Sequence, residues 1–168
     1  MQFRRATYSD LPEIMAIIAQ GQEYLKRSEI PQWQNGYPSN EVVELDIKRG
    51  NSYVLVRNGQ VVATTALEFG EDPSYQKIYE GQWATNQPYA AIHRIAIAEG
   101  HKGKGLAGIM TEAMERACRE RGVFSLRVDT HEKNQSMQRM LQKTGFQYCG
   151  IIYLLDGAPR LAFEKTLC

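Results

Sequence analysis

Hydrophobic and polar residues along this chain follow two different periods, which alternate several times. Apolar residues spaced three and four positions apart predict helices. The predicted helices start after Asp10 and at Asn40, Leu106 and Asn134. The predicted strands, rich in β-branched and aromatic residues, cover residues 2–6, 52–57, 60–67, 90–97, 124–130, 146–154 and 160–167. This order predicts a mixed α/β fold with an early antiparallel hairpin and a late β-α-β crossover.

Local residue pairs add detail at two of these boundaries. Asp10 and Glu13 form a capping-box-like pair at the start of the first helix. Asn58-Gly59 lies between the two strands of the early hairpin. That dipeptide suits a type I′ turn, in which both central residues need a positive φ.

An aromatic stretch, residues 68–89, separates the hairpin from the next strand. Asp72 and the proline that follows it can start a short helix, as N-cap and first-turn residue. This helix would carry Tyr75 and Tyr79 on one face and end at Gly81.

Composition limits the class of protein. The chain has 168 residues, 43% hydrophobic and 23% charged, which is typical of one soluble globular domain spanning residues 1–168. A net charge of +1 gives no electrostatic reason to expect nucleic acid or an anionic membrane as partner. The three scattered cysteines favour a reducing, cytoplasmic compartment and provide no zinc-binding spacing. We expect no signal peptide and no membrane span, because no apolar run is long enough.

The stretch "GHKGKGLAG", residues 100–108, is the strongest candidate for a binding loop. Gly103, Gly105 and Gly108 fit G-x-G-x-x-G, the pattern of a dinucleotide-binding turn. In that turn the first glycine lies almost at the strand end, whereas here the strand ends at Ile97. The surrounding chain also lacks the elements of a doubly wound sheet, so a nucleotide-dependent oxidoreductase is disfavoured. A P-loop is excluded because Gly105, not a hydroxyl residue, follows Lys104.

The same residues also fit a third pattern, [R/Q/K]-x-x-G-x-[G/A], which starts at Lys102. Residues without large side chains let successive backbone N–H groups point inward at a helix start, where they can hold a pyrophosphate. Lys102 and Lys104 would add positive charge without a metal ion. The alternative is a solvated basic turn before an ordinary helix.

Two longer stretches resemble the GNAT superfamily of acetyl-CoA-dependent N-acyltransferases. "HRIAIAEGHKGKGLAGIMTEAMERA" is similar to that family's motif A, and "RVDTHEKNQSMQRMLQKTGFQYCG" is similar to its motif B. The resemblance covers nearly the whole chain, including the order of its elements. It implies the GNAT acyl-CoA N-acyltransferase fold, an α/β fold with a central, mostly antiparallel mixed sheet and helices on both faces.

The resemblance also implies acetyl-CoA as co-substrate, with no metal ion. The backbone of one strand would pair with the pantetheine arm where two neighbouring strands splay apart, and the glycine-loop amides would hold the pyrophosphate. The residues implied in cofactor binding are Ile95, Ala96, Ile97, Lys102, Gly103, Lys104, Gly105, Leu106, Ala107, Gly108 and Asn134. For Asn134 two roles stay open, a hydrogen bond to pantetheine and an N-cap of the last helix.

The implied reaction is direct attack of a neutral amine on the acetyl carbon. It requires removal of a proton from the amine and protonation of the leaving thiolate. In many GNAT proteins a tyrosine donates the second proton, but the matching position here is Leu141. Tyr148, Cys149 and Tyr153 are close in sequence, and we favour Tyr153 as the donor.

Three groups are candidates for the base. His93 alternates with Ile95 and Ile97, which predicts that it shares their face, and histidine has a suitable unperturbed pKa. A purely structural role in the sheet is the alternative for His93. His131 is a second candidate, and Glu68, acting through a water chain, is a third.

Aromatic residues concentrate in the two segments that line the acceptor site in GNAT proteins. They are Trp33, Tyr37, Tyr75, Tyr79, Trp83 and Tyr89. They can form an aromatic wall for an amine, or simply pack the long loops. The candidates for substrate binding are Trp33, Tyr37, Glu68, Tyr79 and Trp83.

Together these features predict an N-acetyltransferase that acts on a primary amine of a small molecule or peptide. A homodimer is a family-level expectation. The alternative is a GNAT-fold acyl-CoA sensor or interaction protein without efficient turnover, which Leu141 at the usual tyrosine position supports.

Overall fold

The computed structural model describes residues 1–168 and contains seven strands and four helices. The strands are β1 (Gln2–Arg5), β2 (Ser52–Arg57), β3 (Gln60–Phe69), β4 (Ala90–Ile97), β5 (Ser125–Thr130), β6 (Gln147–Tyr153) and β7 (Pro159–Thr166). The helices are α1 (Leu11–Arg27), α2 (Asn40–Lys48), α3 (Leu106–Glu120) and α4 (Gln135–Lys143). No helix is long and apolar enough to cross a membrane.

The seven strands form one sheet in the order β1-β2-β3-β4-β5-β7-β6. β4 and β5 are parallel, as a β-α-β crossover requires. β1/β2, β2/β3, β5/β7 and β6/β7 are antiparallel. The predicted mixed, mostly antiparallel sheet is therefore confirmed.

The residues divide into two compact units, which we describe separately. The first unit contains residues 1–67 and 93–110, and the second contains residues 68–92 and 111–168. In the first unit, the apolar faces of α1 and α2 pack with residues of β2 and β3. Its core residues include Ile14, Ile17, Ile18, Val43, Ile47, Val54 and Val61.

In the second unit, the two central β6–β7 residues Ile152 and Ala162 pack with Tyr75, Tyr89 and Ala91. All five residues are buried. The aromatic stretch between the hairpin and β4 therefore contributes directly to this core.

The hairpin turn has the predicted geometry, whereas the first capping box is formed by Thr7 and Asp10 rather than by Asp10 and Glu13. Asn58 and Gly59 have φ values of 51° and 76°, as a type I′ turn requires. The carboxylate of Asp10 accepts hydrogen bonds from Arg4 and from the backbone N–H of Thr7, forming the box one turn before α1. Glu13 instead accepts from the N–H of Val61 at 3.0 Å. The predicted Asp10–Glu13 pairing is therefore wrong, because each carboxylate has a different partner.

The predicted helix carrying Tyr75 and Tyr79 on one face is also wrong. Asp72 accepts from Ser74 N–H as predicted for an N-cap, but only one 3-10 turn follows, over Pro73–Tyr75. Tyr79 forms an antiparallel bridge to Ile151, with both backbone N–H···O distances at 2.8 Å. Backbone pairing to β6 replaces the helix, and consequently Tyr75 is buried while Tyr79 is exposed.

Candidate functional site

The second half of β4 presents two different faces within the first unit. Ala96 and Ala98 pack against the α1–α2 core, and the N–H of Ala98 donates to the carbonyl of Val62 at 2.9 Å. Because side chains alternate along a strand, Ile95 and Ile97 point to the opposite face. The first unit thus contains the strand predicted to pair with pantetheine, anchored on one side by its alanines.

Arg94 interrupts the alternation of this strand. Its φ is 50°, in the left-handed region that residues other than glycine seldom adopt. The prediction that His93 shares the face of Ile95 and Ile97 assumed an unbroken two-residue period. A left-handed residue between them breaks that period, so strand alternation no longer places His93 on the face of Ile95 and Ile97. His93 itself is partly buried, and its carbonyl accepts a long 3.4 Å hydrogen bond from the Thr65 hydroxyl.

The glycine loop (residues 100–108) follows β4 and leads directly into α3. Gly103 and Gly105 have φ values of 74° and 77°, which explains why these positions need glycine. A Cβ atom at Gly103, Gly105 or Gly108 would meet no atom within 4 Å, so open space lies beside this backbone. Leu106 is buried and anchors the helix start, and the first helical bond runs from Ile109 N–H to the Gly105 carbonyl.

The two lysines of the loop have different surroundings. Lys104 is exposed and forms no ion pair with the protein. The Lys102 ammonium lies 2.9 Å from a Glu99 carboxylate oxygen and 4.5 Å from the centre of the Tyr24 ring. Lys102 holds the pKa of Glu99 below its usual range. Lys104 is therefore the loop cation that is directly available to an anion.

Asn134 and His131 both stabilise the turn before α4. Asn134 is the N-cap of the helix, and its side-chain oxygen accepts from Met137 N–H at 3.1 Å. The cap role is thus present, and the pantetheine role stays a prediction. His131 Nδ1 accepts from Lys133 N–H at 3.0 Å. Partial burial, with the positive charge of Arg160, lowers the pKa of His131 and favours its neutral form.

The second unit brings together two of the predicted tyrosines. Tyr79 and Tyr153 are 47% and 45% exposed, and their rings meet edge to face with centroids 5.3 Å apart. Tyr148 is also exposed, but its ring packs on Phe163. Leu141 is only 1% exposed, so the usual tyrosine position lies inside the protein core.

Cys149, the third donor candidate, is partly buried at an irregularity of β6. It is the extra residue where the β6–β7 register shifts between Tyr148 and Gly150. Burial, together with the negative charge of Glu164, raises the pKa of the Cys149 thiol. Its sulfur donates to the Gln147 carbonyl at 3.5 Å.

The aromatic segment (residues 72–89) is organised around a buried ion pair that sequence reasoning missed. The Arg127 guanidinium lies 4.1 Å from the ring centres of both Trp83 and Tyr89. Its Nε is 3.3 Å from Glu164, whose side chain is 0% exposed. The Trp83 N–H donates to the Tyr75 carbonyl and its ring packs on the second unit's core, while its role in substrate binding stays a prediction. The sequence signal was a charged residue within each of two apolar strands.

Two further acceptor candidates lie in the first unit. Trp33 packs on its core, and its ring would contact a Cβ placed at Gly21. Tyr37 is 43% exposed, and its hydroxyl accepts from Arg94 at 3.1 Å. Of the two, Tyr37 has the accessible aromatic surface. Glu68, on β3 in the second unit, is partly buried.

Comparison with known families identifies the class of the protein. Residues 19–146 match the acetyltransferase (GNAT) family, a stretch that includes β4, the glycine loop and α4. The chain therefore belongs to the GNAT acetyltransferase family, whose members are acyltransferases.

Individual relatives agree with this assignment. A Bacillus subtilis (strain 168) protein, the uncharacterized N-acetyltransferase YjcF, is 23% identical over 156 residues, which cover 89% of this chain and 98% of the relative. A GNAT-family acetyltransferase from Streptococcus agalactiae 2603 has a TM-score of 0.90 and 34% identity, covering 98% of this chain and 94% of that chain. The NatC complex bound to Gag peptide and CoA matches with a TM-score of 0.70, covering 99% of this chain and 98% of that chain. At 12% identity, this last match shows the fold alone.

Proposed function

We propose that the protein is an N-acetyltransferase that moves the acetyl group of acetyl-CoA to a primary amine of a small molecule or peptide. The observation that carries this proposal is the glycine loop, with two left-handed glycines and open space at the start of α3. Membership of the GNAT family supports it, as does the presence of CoA in a protein of the same fold. We further propose a metal-free, cytoplasmic, single-domain enzyme that forms a homodimer.

The glycine loop has the features needed to hold the pyrophosphate of the co-substrate. A helix start offers backbone N–H groups outside the helical ladder and a positive dipole end. The bare backbone at Gly103 and Gly105 gives a phosphate close access, since no side chain fills that space. Lys104 adds an available positive charge. Lys102 would leave its ion pair with Glu99 and pair with the phosphate instead. These residues fit CoA without a bound cation.

The backbone of Ile95, Ala96 and Ile97 would hold the pantetheine arm. Ala96 is turned into the core, which fixes the strand and leaves its main chain to pair with an extended ligand. In this position one strand N–H would also donate to the thioester oxygen as negative charge develops there.

For proton transfer we propose His93 as base and Tyr153 as donor to the thiolate. His131 is the poorer base because its Nδ1 accepts a backbone hydrogen bond, which places the proton of the neutral ring on Nε2. Neither of its nitrogens then has a lone pair available for the amine. Tyr153 has an exposed ring, and its hydroxyl makes no hydrogen bond within the protein.

A second candidate function has one specific observation in its favour. Leu141 occupies the usual tyrosine position and is buried, so no side chain there can protonate a thiolate. The alternative is accordingly an acyl-CoA-binding sensor or interaction protein without efficient turnover.

Calorimetry followed by a thiol-release screen tests both functions. The protein is titrated with acetyl-CoA, CoA and NADH, and then assayed for CoA release over a panel of small and peptide amines. We expect binding of both CoA species and steady turnover with at least one amine. CoA binding without turnover on any amine would favour the sensor. NADH binding without CoA binding would overturn both functions.

A further inference from the structure

Arg94 adopts a backbone conformation that must be held by its surroundings. Its φ of 50° lies in the middle of β4, between His93 and the strand residues 95–97. A non-glycine residue in this region is strained and persists only where other contacts enforce its conformation. The contacts of the Arg94 side chain show which residues hold this conformation.

A buried, two-point ion pair fixes Arg94 to α2. Its Nε and Nη2 donate to the two carboxylate oxygens of Asp46 at 2.6 and 2.7 Å, and the two side chains are 11% and 9% exposed. The planar guanidinium and the carboxylate match in this forked arrangement, which determines orientation as well as distance. Asp46 directly precedes Ile47, which is part of the first unit's core.

The third contact of Arg94 reaches the predicted acceptor segment. Its Nη1 donates to the Tyr37 hydroxyl at 3.1 Å. Tyr37 precedes α2, whose N-cap Ser39 accepts from Val42 N–H. One guanidinium therefore connects β4, α2 and an exposed aromatic ring within the first unit.

We propose that Arg94 is a positioning residue, which through Asp46 sets the direction of the β4 backbone toward the co-substrate and through Tyr37 orders the acceptor side. This inference rests on the proposed function. The left-handed residue determines how the backbone of residues 95–97 is rotated relative to His93. Without the ion pair, β4 would relax toward a regular strand, and the amides would lose the orientation that favours a thioester.

A second ion pair in the same unit provides a matched control. Arg4 and Asp10 also form a forked pair, at 2.7 and 2.9 Å, but this pair joins β1 to the turn before α1, and its hydrogen bonds do not reach β4. Arg4 lowers the pKa of Asp10 to about 2, so this pair also contributes to stability. Loss of either ion pair should lower the melting temperature, but only loss of the Arg94–Asp46 pair should weaken binding of the co-substrate.

The experiment compares Asp46→Asn, Arg94→Lys and Asp10→Asn with the unmodified protein. Melting temperature, CoA affinity by calorimetry and amide hydrogen exchange at residues 95–97 are measured for each. We expect both β4-linked variants to weaken CoA binding at least tenfold and to accelerate exchange at residues 95–97, with Asp10→Asn unchanged in both. Arg94→Lys keeps the charge and loses the fork, so it also provides the test if Asp46→Asn does not fold.

Two results would overturn the proposal. One is CoA affinity and exchange in the β4-linked variants equal to those of the unmodified protein. The other is an equal loss in Asp10→Asn, which would assign the effect to general stability. If the unmodified protein binds no CoA, the proposed function fails, whereas the exchange measurement still decides whether the ion pair holds the β4 backbone. Tyr37→Phe should leave CoA affinity unchanged and alter only the KM of the amine.

Discussion

The glycine loop of the first unit and the aromatic segment of the second differ in how their backbones are held. The glycine loop is fixed by neighbours in sequence: His101 N–H donates to the Ala98 carbonyl, and Lys102 pairs with Glu99. The aromatic segment is fixed by residues far along the chain, since Ala84 N–H donates to Glu164 at 2.7 Å. Changes in the loop should therefore alter ligand binding alone, whereas changes in the aromatic segment should alter the fold of the second unit.

Close packing reinforces the difference. A Cβ at Gly81 would collide with the Cys149 carbonyl oxygen, so the aromatic segment lies directly against β6. The Arg127 side chain donates to the Thr85 carbonyl at 2.7 Å, and its guanidinium lies over the rings of Trp83 and Tyr89. Such a segment cannot shift without exposing buried charge. The glycine loop, by contrast, borders open space.

The largest effect on turnover should come from loss of the proposed base, which lies in the first unit. Replacing His93 with alanine removes the proposed base, and kcat should fall by roughly 100-fold or more while CoA affinity stays within a few-fold. Steady-state kinetics with the best amine from the screen measures this. His131→Ala is the control and should retain near-normal kcat. Unchanged turnover in His93→Ala would remove this residue from the mechanism.

Gly105→Val should impair binding of acetyl-CoA by the glycine loop. A valine would adopt a positive φ only with strain and would occupy the space proposed for the pyrophosphate. Since hydrogen bonds to charged groups contribute about 1.5–3 kcal/mol each, the KM for acetyl-CoA should rise by roughly 10- to 100-fold. Gly157→Val is the matched control, because Gly157 also has a positive φ, of 89°, and open surroundings in the β6–β7 turn. A normal KM in a folded Gly105→Val protein would contradict the proposed site.

Glu164→Gln should show the opposite pattern, a loss of stability with CoA affinity maintained. It leaves the Arg127 guanidinium buried without its counter-charge, which typically costs about 3–5 kcal/mol in the free energy of unfolding. Denaturant unfolding measures the loss, and calorimetry tests CoA binding. The double variant Arg127→Met/Glu164→Gln should recover part of the stability, since no unpaired charge then remains. A stability unaffected by Glu164→Gln would mean that the aromatic segment is not held in this way.

The same contrast explains what could be predicted from sequence. The helices, strands, hairpin turn and glycine loop follow from periodicity and from residues with special φ values, which are local properties. The Arg94–Asp46 pair joins residues 48 positions apart, and the Arg127–Glu164 pair depends on how β5 meets β7. Neither pairing can be predicted from local pattern. Arg94, Arg127 and Glu164, each a charged residue within an apolar strand, were visible signals that a buried partner was needed.

The same limit accounts for both wrong local predictions. Each prediction assigned a residue to a local cap or helix, but in the structure that residue hydrogen-bonds to the backbone of a segment distant in sequence. Glu13 binds the N–H of Val61, and Tyr79 pairs with Ile151. In both places the hydrogen bond joins a residue of the segment that was predicted to close locally to the backbone of a strand, β3 at Val61 and β6 at Ile151.

The smallest effect should come from loss of the Tyr153 hydroxyl, the proposed proton donor. In Tyr153→Phe the ring contact with Tyr79 is kept and only the hydroxyl is lost. A thiolate is a good leaving group, so kcat should fall only about tenfold, equivalent to roughly 1.4 kcal/mol, with stability unchanged. Tyr148→Phe, at another exposed position on the same strand, is the control and should have normal kcat. If the two variants behave alike, the Tyr153 hydroxyl is not the donor to the thiolate.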